Sequence, residues 1–396
     1  MSKPYQPPLA PKCLPIGDPW ALFGGISPKR FMQEYWQKKP LLVRGAIPAF
    51  SIASQNGESS LASPISYDEL VELSGHEDVE SRLIQSQPWR FDHGPFQKKA
   101  IPNLKKTNWT LLLQGMEAHH SAAANILSWF RFIPDARLDD LMISIAGTGG
   151  GVGPHFDSYD VFLLQGDGTR RWRIGAQKDL TLIDDAPLRL LKNFRSRQAW
   201  DVATGDLLYL PPRYAHDGVA TASCMTLSVG FRAPLKQELA AHFLDYLQDN
   251  LRIDGMIEDA GLPLQAHPAQ LPPFLMDKFS RVLSRVRWNA ADVRRFAGCY
   301  LTEPKPRVVF SRPRRVLNLQ SFVKRVMKRG MRLALPTRML YEGQQIFING
   351  ECHSLKDTQR DVLVGLADTR ASPAFAPDAA TAQLTYAWYC AGYVDV

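Results

Sequence analysis

Between Asp140 and Pro234 the apolar positions come in short runs broken by Gly, Pro and Asp: DLMISIAG, YDVFLLQG, RRWRIG, AWDVATGDLLYLPP, HDGVATAS and CMTLSVGFRAP. Six β-prone runs at this spacing predict an all-β barrel or jelly roll. No helical pattern alternates with them, which disfavours a nucleotide-binding doubly wound sheet. Upstream, FMQEYWQKKPLLVRG predicts a short helix carrying Phe31, Tyr35 and Trp36, stopped by Pro40 and followed by a strand over 41–44. Helical patterns also fall near 67–74 and over 108–130. Downstream, Leu239, Phe243 and Tyr246 or Leu247 recur at helical spacing. A proline-rich break, LPLQAHPAQLPPFL, precedes a second helical stretch, FSRVLSRVRWNAADVRRFAGCYL. The segment MLYEGQQIFINGE predicts a hairpin with Asn349-Gly350 as a favoured turn. These patterns divide the chain into an extended proline-rich arm (1–20), a β-rich domain with preceding helices (21–234), a helical region (235–302) and a terminal domain of helices and a hairpin (303–396).

At 396 residues, with 45% hydrophobic and 22% charged residues, the chain is long enough to bury a large core and too apolar for extended disorder. It has no run of about eighteen apolar residues, and its first twenty lack the apolar stretch of a secretory signal, so a soluble cytoplasmic protein is expected. Five scattered cysteines (Cys13, Cys224, Cys299, Cys352, Cys390) have no metal-binding spacing and suit a reducing compartment. The net charge of +8 and pI near 9.2 invite a polyanionic partner. The basic stretch Arg312 to Arg332, with Arg314, Arg315, Lys324, Arg325, Lys328 and Arg329, could contact RNA or form a solvated helix face.

The segment 149–175, GGGVGPHFDSYDVFLLQGDGTRRWRIG, carries the chemistry. In extended chain, residues two apart share a face, so His155 and Asp157 can offer an imidazole and a carboxylate to one ion. His216, after the strand end YLPP, is the candidate third ligand. Two histidines and a carboxylate cap one face of an octahedron and leave room for a chelating cosubstrate and O2, the arrangement of non-haem Fe(II) oxygenases. A cosubstrate such as 2-oxoglutarate needs a fixed cation for its distal carboxylate, a role suited to the planar fork of arginine.

Arg170, Arg171 and Arg173 compete for that role. If Asp167-Gly168 closes a two-residue hairpin, Gln165 pairs with Arg170 and both share the face of the metal ligands, with Trp172 and Ile174 inside and Arg171 and Arg173 outside. A straight strand from Asp157 to Gln165 spans roughly 26 Å, so the chain must bend near Ser158-Tyr159-Asp160. Ser144 and Ser228, hydroxyls in apolar strands, are further candidates for ligand contact.

At these residues the chain resembles the bacterial ribosomal oxygenases of the JmjC and cupin superfamily, in particular the arginine hydroxylases of the sixteenth large-subunit ribosomal protein. The matching strings are ESRLI (80–84), FDHGPF (91–96), TNWTLLLQ (107–114), DDLMIS (139–144), GGGVGPHFDSYDVFLLQG (149–166), RRWRIG (170–175), GDLLYLPPRYAHDG (205–218) and LSVGFRAP (227–234). The resemblance implies a double-stranded β-helix catalytic domain, a helical dimerisation region and a C-terminal winged helix. It implies Fe(II) on His155, Asp157 and His216, 2-oxoglutarate on Arg170, and ligand contact at Ser144. The implied reaction is O2-dependent hydroxylation of an arginine β-carbon on a ribosomal protein, by a homodimer that spans no membrane. Thr169 and Ser158 depart from the pattern, where a basic residue and a larger polar one are expected. An arginine substrate calls for acidic or aromatic groups at the mouth, for which Asp139, Asp140, Tyr159 and Asp160 are candidates.

Two rival functions fit the same sequence. One is an oxygenase that hydroxylates a ribosomal histidine or demethylates lysine. The other is a metal-free, cupin-like module that binds RNA or the ribosome.

Overall fold

Short strands buried on both faces are stable only in the middle of a layered structure, and much of this chain is built from them. The computed structural model describes residues 20–48, 50, 64–86 and 88–396; the expected arm over 1–20, Trp20 apart, and Cys13 lie outside the described residues. Eight strands form one sheet. In chain order they are β1 (Leu41–Val43), β2 (Ser81–Gln85), β3 (Arg90–His93), β4 (Trp109–Leu113), β5 (Leu138–Ala146), β6 (Val161–Asp167), β9 (Leu207–Leu210) and β11 (Cys224–Phe231), ordered in space β1-β9-β6-β11-β5-β4-β2-β3. The other three, β7 (Thr169–Gly175), β8 (Gln198–Ala203) and β10 (Ala215–Ala220), make a second sheet ordered β10-β7-β8.

Alternation along the strands separates two cores. On the outer face of the large sheet, Leu141, Ile143 and Ile145 of β5, Phe162 and Leu164 of β6 and Leu227 and Val229 of β11 pack with Phe23, Phe31 and Phe130. The helices α1 (Pro28–Glu34), α2 (Tyr67–Leu73) and α3 (Ser121–Ser128) contribute to this layer. On the inner face, Val161, Leu163, Leu208 and Leu210 meet Trp172, Ile174 and Val202 of the small sheet. Two facing antiparallel sheets with a side-chain-filled interior are the double-stranded β-helix implied by the resemblance.

The helix expected over 108–130 is only partly one. Trp109–Leu113 is strand β4, buried throughout and paired with β2 and β5. Gly115, at φ 66°, ends that segment, and the helix begins at Ser121. A continuous apolar run such as WTLLL fits a central strand as well as a buried helix, and here tertiary pairing decides.

The chain forms two compact units, one of Met1–Ala233, Pro304–Arg338 and Asp361–Val396, the other of Pro234–Glu303 and Met339–Arg360. The second holds α4 (Lys236–Asn250), α5 (Pro273–Leu283) and α6 (Ala290–Thr302). The stretch read as one helix is thus two; Asn289 caps α6 by accepting hydrogen bonds from Ala291 N and Asp292 N. With them fold β13 (Met339–Glu342), β14 (Gln345–Ile348) and β15 (Glu351–Ser354). Asn349-Gly350 does turn the chain, but between β14 and β15; Gly343-Gln344 joins β13 to β14, so the hairpin is a three-stranded meander. The first unit also contains α7 (Leu319–Arg329), β12 (Met331–Leu333), α9 (Ala379–Ala391) and the strands β16 (Ala371–Ser372) and β17 (Val394–Asp395), which flank β12. Helix α8 (Asp357–Thr369) spans the sequence boundary between the units.

Candidate metal centre

The glycine-rich approach to His155 is shaped by contact with its neighbours. A Cβ on Gly150 would lie 2.1 Å from the Trp109 carbonyl oxygen, so only glycine lets the backbone pass there. The segment then runs beside β10: Gly149 N donates to Ala220 O (2.8 Å), and His155 and His216 exchange backbone hydrogen bonds of 2.9 and 2.8 Å. This pairing sets two imidazoles side by side, ring centroids 4.2 Å apart. Asp157 joins them because the chain bends at Ser158-Tyr159 before β6 begins, and the Asp157 carbonyl accepts from Arg213 N (2.7 Å) at the Pro211-Pro212 exit.

One donor atom from each of His155, Asp157 and His216 lies within 4.8 Å of the others. His216 Nε2 is 3.5 Å from Asp157 Oδ2. The Nδ1 atoms face backbone carbonyls, His155 to Gly153 O (2.9 Å) and His216 to Tyr214 O (2.8 Å). A carbonyl only accepts, so each Nδ1 carries the proton and each Nε2 presents a lone pair to the common centre. Burial, reinforced by neighbouring His155, lowers the His216 pKa to about 4, so its imidazole is neutral at physiological pH. Two imidazoles and a carboxylate gathered in this way fit a divalent first-row cation.

Arg170 is turned into the same interior. It is 3% exposed, and β7 alternates Arg170, Trp172 and Ile174 inward with Arg171 and Arg173 outward. The route to that alternation differs from the hairpin expected. A single residue, Gly168, separates β6 from β7, too few for a two-residue loop, and the chain crosses from the large sheet to the small one. Gln165 therefore pairs with Thr226, and Arg170 with Ala220 and Val202. Gly168 has φ 63°, and a Cβ there would meet Ser223 O at 2.0 Å.

The guanidinium of Arg170 has only long contacts, to Gly218 O (3.4 Å) and Cys224 Sγ (3.7 Å), and its Nε has no partner. It makes no ion pair among the described residues. A buried cation with idle donors is costly unless an anion joins it. The Trp172 ring lies 5.7 Å from the Arg170 guanidinium carbon and 5.8 Å from the His216 ring, which puts the cation and the metal ligands against one indole.

Hydroxyls in phase with Ser144 line the large sheet. Ser144 Oγ donates weakly to Thr226 O (3.4 Å), Thr226 Oγ1 donates to Gln165 Oε1 (3.1 Å), and buried Thr110 Oγ1 has no partner. Ser228, also buried, shares the face of Thr226. Sequence reasoning missed Thr110 and Thr226. The available signal was a hydroxyl among apolar neighbours, Thr110 alone in WTLLL and Thr226 two residues before Ser228 in CMTLSV.

At the mouth, Asp140 Oδ1 and the Tyr159 ring would lie 3.5 and 3.7 Å from a Cβ on Gly230. Burial, then the charges of Asp157, Asp140 and Asp139, raise the Tyr159 pKa. Asp139 and Asp140 accept from Lys305 Nζ at 3.0 and 3.3 Å. Asp160 turns elsewhere: fully buried, it accepts from Tyr209 Oη (2.6 Å) and Gln37 Nε2 (3.0 Å), which removes it from the mouth residues expected.

Residues 125–239 match the JmjC domain family, and 285–395 match the ROXA-like winged helix. The ribosomal protein uL16 3-hydroxylase of Escherichia coli is 38% identical over 256 residues, covering 64% of this chain and 65% of that enzyme. A probable ribosomal oxygenase of Haemophilus influenzae is 34% identical over 215 residues, covering 53% of this chain and 50% of its own. The aligned region therefore spans less than two thirds of these relatives. A solved structure of YcfD, a ribosomal oxygenase from Escherichia coli, in complex with cobalt and 2-oxoglutarate superposes with a TM-score of 0.75 at 31% identity, covering 93% of this chain and 97% of that one.

Proposed function

We propose, from the premise that this chain belongs to the JmjC-domain ribosomal oxygenases with a ROXA-like winged helix, that it is an Fe(II)- and 2-oxoglutarate-dependent protein hydroxylase. Its substrate in this reading is an arginine, the residue the family resemblance implies, of a large-subunit ribosomal protein, hydroxylated at the β-carbon; the name of the Escherichia coli relative, ribosomal protein uL16 3-hydroxylase, supports the protein and the position. The observation that carries the reading is the pairing of two carbonyl-tethered histidines and a carboxylate with a buried, unpaired guanidinium across the same Trp172 ring.

His155, Asp157 and His216 would hold the iron. When bound, iron with 2-oxoglutarate and O2 supplies the oxidising equivalent that puts a hydroxyl on an unactivated carbon, as the cosubstrate is converted to succinate and carbon dioxide. Arg170 takes the distal carboxylate of the diacid in two parallel hydrogen bonds, which satisfies its idle donors. Ser144, Thr226 and the unpartnered Thr110 hydroxyl offer further hydrogen bonds to it. Trp172, Ile174, Val202, Leu208 and Leu210 keep water from the other side of the interior. Asp140, with Tyr159 beside it, receives the substrate guanidinium once Lys305 yields that place.

The same reading includes a homodimer, a cytoplasmic location and contact with ribosomal RNA. The helical region 235–302 supports the dimer: Leu235, Leu244, Met256, Leu264, Leu271 and Leu283 are each more than 60% exposed, more apolar surface than a monomer usually leaves in water. No helix among the described residues is long and apolar enough to cross a membrane.

The test is mass spectrometry of ribosomal proteins from cells with and without the gene, with purified protein given iron, 2-oxoglutarate and the corresponding peptide. One added oxygen on an arginine, with matching succinate, is expected. An oxygen added to histidine or a methyl lost from lysine overturns the substrate; protein that binds no iron and forms no succinate overturns the enzyme.

A further inference from the structure

The chain's excess positive charge sits in one place. From Lys305 to Arg338 there are eleven Lys or Arg residues and no Asp or Glu, so the remaining residues hold 36 cations against 39 carboxylates, a net charge of −3. The net +8 is thus a property of this segment, and the rest of the molecule is mildly acidic.

The structure divides the segment by use. At its ends, Lys305 pairs with Asp139 and Asp140, and Arg338 donates to the backbone carbonyls of Leu138 and Asp139. Between them, Arg312, Arg314, Arg315, Lys324, Arg325, Lys328, Arg329 and Arg332 are all exposed, and none forms an ion pair among the described residues. Four lie on α7, where Lys324 and Lys328, and Arg325 and Arg329, are one turn apart and so stand in two adjacent rows. Like charges at that spacing repel, and a sequence selected only for stability avoids them.

The opposite stripe of α7 is already occupied. Phe322 and Val326 are fully buried, and the Phe322 ring packs on Tyr386 and Tyr389 of α9 at 5.5 and 5.2 Å. Helix α9 carries no charged residue along its length, so it neutralises nothing. Because the apolar stripe is used in packing, α7 cannot lay it into a bilayer as an amphipathic membrane helix does. What the segment presents outward is cationic, with six arginines among the eight groups, the side chain best suited to bidentate phosphate contact.

We propose that the surface formed by α7, the loop 312–315 and Arg332 docks on the phosphate backbone of structured RNA. Among polyanions, the choice of RNA rests on the ribosomal substrate proposed above, since such a protein meets this enzyme on or near ribosomal RNA. The surface has no exposed aromatic ring between residues 312 and 332, Phe322 being buried. Without rings to stack on bases, the contact reads backbone and shape rather than single-stranded sequence.

The experiment uses the full chain and a fluorescent RNA hairpin of about sixteen base pairs, the span of a typical double-stranded RNA contact. Anisotropy titrations at several salt concentrations compare the native protein with Arg325→Ala/Lys328→Ala/Arg329→Ala, and peptide hydroxylation is assayed in parallel. Expected is RNA binding that weakens steeply with salt. The variant should bind at least tenfold more weakly at low salt, with a logarithmic salt slope smaller by about 3, and should hydroxylate the free peptide as before. Equal binding by native and variant protein overturns the proposal, as does tighter binding to vesicles rich in phosphatidylglycerol or to a polyglutamate peptide than to RNA. Native protein that binds RNA but hydroxylates no peptide leaves the docking surface standing and sinks the hydroxylase reading instead.

Discussion

The two faces of the large sheet are made from the same strands and do opposite work. On β5, Leu141, Ile143 and Ile145 point outward into the aromatic core with Phe31, Phe130 and Phe162, whereas Asp140, Met142 and Ser144 point toward the small sheet. On β11, Met225, Leu227 and Val229 face the first core, and Thr226 and Ser228 the interior. The outer face is a continuous hydrocarbon layer whose interest is density. The inner one and the small sheet opposite keep polar groups short of partners: the Thr110 hydroxyl of β4 and the Arg170 Nε of β7 are buried without any. Period-two alternation thus lets one strand spend stability on one side to hold an incomplete polar site on the other.

The sharpest break between the faces comes from the metal ligands. Asp157→Ala should abolish iron retention and lower succinate formation more than about a thousandfold, about 4 kcal/mol in barrier terms, while the melting temperature of the metal-free protein stays near native. Metal analysis after gel filtration checks it; a variant that keeps its iron refutes the site. Phe162→Ala acts on the other face. Removing a ring that touches Phe130, Phe31 and Tyr209 should cost about 3–5 kcal/mol in urea unfolding, with iron affinity of the folded fraction unchanged.

Arg170→Met separates cost from use. The KM for 2-oxoglutarate should rise about 30- to 100-fold, the worth of a charge-assisted pair of roughly 2–3 kcal/mol. Yet protein free of cosubstrate should unfold at equal or higher urea concentration, because an unpaired buried cation has gone. A variant destabilised without cosubstrate would mean that Arg170 belongs to the structural face.

Glu117 sharpens where the boundary runs. Burial and the nearby Asp140 charge raise its pKa to about 7, and its carboxylate accepts from Leu141 N (2.9 Å). Since the folded value lies above the ordinary 4.5, its stabilising contribution is intact below pH 4.5 and is lost as the pH climbs through 7. Native protein should therefore lose about 1–3 kcal/mol between pH 5 and 8 that Glu117→Gln does not lose, as read from urea midpoints. Smallest of all, Ser144→Ala should raise the KM for 2-oxoglutarate by about fivefold or less, one neutral hydrogen bond; a larger change would promote Ser144 to a principal anchor.

Legibility in the sequence followed the range of the forces involved. The six β-prone runs, the helix after Ser27 and the inward phase of Arg170 all follow from local alternation and were readable. Strand β4 was not, since a run buried on both sides has no polar face to give its period. The pairing of Gln165 was misread because turn composition implied a hairpin, whereas the crossing at Gly168 depends on a second sheet. Asp160 has the same residue type as Asp140, and only tertiary packing shows that it serves Tyr209 and Gln37 rather than the mouth.

By itself, then, the sequence determined the residue types that can hold a ferrous ion and a diacid, their alternation in phase along the strands, and the concentration of charge between residues 305 and 338. Only the folded chain decided that His216, sixty-one positions from His155, lies beside it, that Arg170 is left without an anion, and that the eight cations of 312–332 remain unpaired. Spacing along a strand is fixed by local backbone geometry, but distance across sheets, burial and the satisfaction of polar groups are set by long-range packing, which no short window of residues contains.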